Sequence, residues 1–148
     1  MRLTTKSLLL ITAAMSVAPV LHAQPALSTA PENARVYFIT PLDGEVLTSP
    51  VTIRFGLSGM GVAPAGVMKN NTGHHHLLID MQELPALNQS LPANQQIKHF
   101  GAGQTETVID LPAGEHSLQL LLGDHLHRPH TPPVMSEKIT ITVSGEKP

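Results

Sequence analysis

Val51, Ile53, Phe55 and Leu57 alternate with Thr52, Arg54 and Gly56, the period-two pattern of a strand with one buried face. The same alternation places Ile139, Ile141 and Val143 between Thr140 and Thr142 at the end of a strand expected over Val134 to Val143. Between Glu115 and Leu122, His116, Leu118, Leu120 and Leu122 share one parity and Ser117, Gln119 and Leu121 the other. The even positions are the expected core face. Further strands are expected over Arg35 to Ile39, His74 to Asp80 and Thr105 to Leu111, separated by turns at Pro41-Leu42-Asp43-Gly44, Gly59 to Gly66 and Pro112-Ala113-Gly114. Leu84 to Asn94 contains two Leu-Pro pairs and is expected to cross the sheet as an irregular loop. Short strands and turns, with no amphipathic helix and no internal repeat, predict an all-β domain. Its expected form is an immunoglobulin-like antiparallel β-sandwich over residues 35–144.

The first 23 residues depart from this pattern. Arg2 and Lys6 precede an apolar stretch from Leu8 to Val20, and Leu21-His22-Ala23 ends in a small residue before Gln24. These are the features of a cleaved export signal, 1–23, too short to span a bilayer as a helix. Residues 24–34, with Pro25 and Pro31 among small polar residues, read as a flexible lead-in. A periplasmic or secreted protein without a membrane anchor is expected. The chain has no cysteine, so disulfides and thiolate metal ligands are excluded. Of nine Lys and Arg, two fall in the leader, against eleven Asp and Glu, so the mature domain is mildly acidic. That balance argues against a nucleic-acid partner. With only three Phe and one Tyr, the core must rest on Leu, Ile and Val.

The candidate chemistry is histidine. Gly73-His74-His75-His76-Leu77-Leu78-Ile79-Asp80 is answered by Gly123-Asp124-His125-Leu126-His127-Arg128-Pro129-His130. On an extended chain His74 and His76 project from one face and His75, Leu77 and Ile79 from the other. If the Leu-rich strand continues through Gly123, His125 and His127 repeat that geometry on the face away from the core. Gly123 is also where a turn or bulge would reset the alternation. Two His-x-His pairs predict a metal site, since neutral imidazole ligates zinc, copper, nickel and iron. His75 and His116 fall among core-facing residues and are expected to be structural. His99 and His130 are ambiguous.

Methionine bears on the metal. Soft thioethers select cuprous copper, whereas zinc draws on Cys, His and carboxylate. Met60 and Met68 flank the loop leading to His74, and Met135 follows the second histidine group, so all three are candidate ligands beside His74, His76, His125 and His127. Met60 and Met135 serve equally as core filler. Copper is the expected metal and zinc the alternative, with a periplasmic metal-accepting protein as the expected partner. No nucleophile elbow, phosphate loop or dinucleotide fingerprint is present, and a non-enzymatic role is expected. An extracytoplasmic module that binds a protein or envelope polymer without metal is the alternative. A metal-dependent hydrolase subunit, with Asp80, Glu106 or Asp124 as base, is a third reading.

The runs Gly59 to Gly66, Gly73 to Asp80, Gln104-Thr105-Glu106 and Leu118 to His125 resemble, in the same order, a bacterial exported family of unknown function, domain of unknown function 4399. The resemblance spans Val36 to Val143 and implies a small exported β domain. It implies no activity. Pro41-Leu42-Asp43-Gly44 before a strand is also similar to a turn in periplasmic copper-carrier domains, whose N-terminal histidine has no counterpart here.

Overall fold

A computed structural model describes residues 26–145, and the export signal expected over 1–23 lies outside them. Among the described residues there are nine strands and no helix: β1 (Arg35–Thr40), β2 (Val46–Thr48), β3 (Val51–Ser58), β4 (Gly61–Val62), β5 (Thr72–Ile79), β6 (Ile97–His99), β7 (Glu106–Ile109), β8 (Gly114–Gly123) and β9 (Ile139–Ser144). One sheet has the order β1-β3-β7; the larger runs β2-β9-β8-β5-β4, with β6 also paired to β5. The all-β expectation is met. The larger sheet is mixed where an antiparallel one was expected, because β2 pairs parallel with β9 and β4 with β5. Neither pair is closed by a tight hairpin, the connection that imposes antiparallel order.

The strands missing from the sequence reading are β2, β4 and β6, each of two or three residues, too short for alternation to be seen. The closing strand begins later than expected, at Ile139. Upstream, Val134 to Ser136 still hydrogen-bonds β8, Val134 O accepting from Leu122 N at 2.9 Å and Ser136 N donating to Leu120 O at 3.0 Å.

The two sheets share one core. Val36, Val51, Ile53 and Phe55 meet Leu77, Ile79, Leu118, Leu120, Leu122, Ile139, Ile141 and Val143, as the parities require. Truncating a leucine in such a core costs about 2–5 kcal/mol. A smaller cluster of Leu78, Leu91, Ile97 and Leu121 lies on the other face of β5 and β8. The crossing segment supplies Leu91, whose amide donates to His127 O at 2.8 Å. From Gly73 to Ile79, β5 is therefore buried at every position. A pattern of alternating exposure fails here because both faces are covered.

Candidate metal centre

His74 and His76 stand on the outer face of β5, beyond the smaller apolar cluster. The ladder with β8 sets His74 opposite Gly123 and His76 opposite Leu121, and the antiparallel pairing with β6 sets His99 directly opposite His76. The fourth ring comes from a turn. Past Gly123, Asp124 Oδ1 accepts the amides of Leu126 (2.8 Å) and Arg128 (3.0 Å), while His127 N donates to Asp124 O at 2.8 Å. His127 takes a left-handed φ of 63°. The strand stops at Gly123, so the parity expected for His125 and His127 is lost and the turn carries only His127 to the cluster.

Five of the six ring-centroid separations among His74, His76, His99 and His127 fall between 4.7 and 5.1 Å. The sixth, His76 to His127, is 6.3 Å. One nitrogen from each of His74, His99 and His127 lies within 4.8 Å of the others. Bonds of about 2.0–2.1 Å to one tetrahedral ion bring such nitrogens to about 3.4 Å, so a bound ion would draw the three rings closer together. His74 and His76 are buried, and neither ring nitrogen of either makes a hydrogen bond; Nε2 of His99 is likewise unpartnered. Leaving a buried polar group unsatisfied costs about 1–3 kcal/mol. Several together call for a ligand from outside the chain.

The electrostatics keep these rings neutral. Burial pushes His74 down to about 4, with the neighbouring His99 and His127 adding to the fall and Asp124 opposing it. Burial and then His74, His99 and His127 push His76 down to about 3, against a small opposing effect of the His74 carbonyl. His99 is lowered by burial and by His127. At neutral pH His74, His76 and His99 therefore offer unprotonated nitrogens, the form that binds metal. Two glycines make room: a Cβ at Gly123 would stand 2.6 Å from His76 Cε1, and one at Gly101 would overlap the His99 ring.

The turn that carries His127 is itself anchored. Burial alone would raise the Asp124 carboxyl. The Arg128 and Leu126 amides, the Ser28 hydroxyl and the Arg128 charge outweigh it and hold the group below its ordinary range. Ser28 Oγ donates to Asp124 Oδ2 at 2.8 Å, and Arg128 reaches Ala26 O at 3.0 Å. The lead-in, expected to be flexible, is tied to this turn over its described part.

Of the residues singled out from the sequence, the structure brings together His74, His76 and His127. His125 instead lines an open cavity of about 590 Å³ with Gly66, Ser90 and Arg128. Met60 packs against the main core, Met135 against the smaller one, and Met68 is 78% exposed. His130 is buried with Nε2 at 3.2 Å from Thr72 O. His75 lies in the main core, its ring 4.8 Å from that of Phe55, and His116 bonds Asp80 and Pro112 O. His99 is the ligand-type residue that sequence reasoning left unassigned. Its signal was one histidine on a three-residue strand, and only the register with His76 gives it meaning.

Residues 53–144 match the family model of a domain of unknown function (DUF4399). The chain belongs to that family. No curated protein and no solved structure matches it. The DUF4399 match opens in β3 and closes at the end of β9, so all four clustered histidines lie inside it.

Proposed function

We propose that this DUF4399 protein is an extracytoplasmic metal-binding protein that holds one transition-metal ion, copper or zinc, on histidine nitrogens. The observation that carries the reading is the convergence of His74, His99 and His127 nitrogens within 4.8 Å beside buried imidazoles without hydrogen-bond partners. His75 is also buried without hydrogen-bond partners but stands apart against Phe55, so it is the gathering of four rings at one place that distinguishes the cluster. The role is sequestration or transfer of the ion to an accepting protein, without turnover. The export-signal features of residues 1–23 support a location in the periplasm or outside the cell. We read the fold as an immunoglobulin-type sandwich, supported by the β1-β3-β7 order and by the β2-β9-β8-β5 order, with β2 parallel to β9.

Untagged protein purified from the periplasm is expected to carry about one equivalent of metal. The stripped protein should take up zinc or cupric copper at pH 7.5 with a dissociation constant of about 1 μM or tighter. A stripped protein that shows no calorimetric heat with either ion overturns the proposal in favour of a metal-free interaction module.

A further inference from the structure

On the reading above, three histidines would leave a coordination position open. We infer that His76 is the fourth ligand, so that the site is a closed tetrahedron of four imidazoles suited to zinc. His76 is not among the three whose nitrogens already converge. Its ring centroid nevertheless stands 4.8 Å from that of His74 and 5.1 Å from that of His99, as close as His74 and His99 are to each other at 4.9 Å.

Zinc–nitrogen bonds of about 2.0–2.1 Å put each imidazole centroid about 3.2 Å from the ion and, in a tetrahedral array, about 5.2 Å from the other centroids. The five separations of 4.7–5.1 Å fit that figure. A square-planar set needs four separations near about 4.5 Å and two near about 6.4 Å on the same bond lengths. Only His76 to His127, at 6.3 Å, approaches the longer value.

What keeps the His76 nitrogens out of the converging group is ring orientation. Turning the ring about Cβ–Cγ swings its nitrogens while leaving its centroid nearly fixed, and that torsion is soft in histidine. The His76 ring is seated where a Cβ at Gly123 would stand, 2.6 Å from Cε1 and 3.1 Å from Nδ1. Neither His76 nitrogen has a hydrogen bond to give up.

The ion follows from the ligand set. Four neutral nitrogens without thiolate suit a borderline divalent cation, and zinc, which has no geometric preference of its own, accepts the tetrahedron that cupric copper resists. Four protein ligands leave no position for a water or substrate. Such a site holds an ion and does not use it as a Lewis acid.

The test loads the full mature chain with cobalt(II), whose visible bands report coordination, and measures zinc affinity by competition with a chelator. The parent is expected to show the intense bands of a four-coordinate site, unchanged by azide. His76→Ala should bind zinc about 100-fold more weakly, at or beyond the 10–100-fold that a supporting residue costs, and its cobalt bands should shift with azide. His76→Gln, checked for the parent's circular dichroism, should behave as His76→Ala. Cobalt bands in the parent that shift with azide, or unchanged zinc affinity in both folded variants, overturn the fourth ligand alone. A parent that takes up neither cobalt nor zinc removes the histidine centre itself.

Discussion

The two ends of the β5–β8 ladder treat imidazole in opposite ways. At the end of β5, His116 Nδ1 bonds Asp80 Oδ2 at 2.7 Å and Nε2 bonds Pro112 O at 2.9 Å. Asp80 Oδ1 also accepts the Ser117 amide at 2.8 Å. Burial favours the neutral ring, but the Asp80 bond, the Pro112 carbonyl and the Asp80 charge outweigh it and raise the His116 pKa. At the start of β5, His74 and His76 face other imidazoles and their ring nitrogens make no hydrogen bond, and their pKa values fall. One residue type on one ladder becomes a doubly hydrogen-bonded clamp at one end and a set of unpartnered nitrogens at the other. Two satisfied nitrogens make a strut; unsatisfied ones make a receptor.

The largest expected effect separates the two ends by metal. Replacing His74, His99 or His127 with Ala should weaken zinc or copper binding by about 100-fold or more, while His116→Ala leaves affinity and stoichiometry unchanged. Calorimetry on the four folded variants checks it. Equal losses from His116→Ala and His74→Ala would erase the distinction.

Next comes pH, measured on metal-free protein. His74 and His75 fall to about 4 and His76 to about 3, each mainly through burial, so between those values and about 6.5 the unfolded chain binds more protons than the folded one. Stability from these groups is full above about pH 6.5 and is lost as pH falls toward 4 and 3. His116 works with the opposite sign: its raised pKa contributes stability below about 6.5 that fades as pH rises through the folded value. Thermal melts should therefore fall steeply on the acid side and gently on the alkaline side. His116→Ala should remove the gentle decline only.

Smaller changes sharpen the geometry. Gly123→Ala places a methyl group against the His76 ring and should cost about 1–3 kcal/mol by overpacking, with weaker metal binding. At the other end, His116→Ala should cost about 1–2 kcal/mol, the low part of the range for a lost buried hydrogen bond, because Asp80 is 44% exposed and rehydrates. Met68→Leu, at an exposed position, should move melting and zinc affinity least of all, within about 0.5 kcal/mol. A large loss of affinity in that variant would return a thioether to the site.

The sequence by itself determined the β class, the inner faces of β3, β8 and β9, the core place of His75 and the structural place of His116. Each follows from period-two alternation, a local property that survives any change in how the strands are stacked. It also determined that His74 and His76 share a face. Only the tertiary structure decided which other histidines join them. His99 reaches His76 through strand register, and His127 reaches His74 through a turn that Asp124 and Ser28 hold in place. Register and turn anchoring depend on partners far along the chain, so spacing alone had set His125 and His127 as equals. The cover over the outer face of β5 was likewise invisible locally, because Leu91 and Ile97 arrive there from a segment with no period of its own. Burial of both faces is what turned surface-facing histidines into neutral, unpartnered nitrogens.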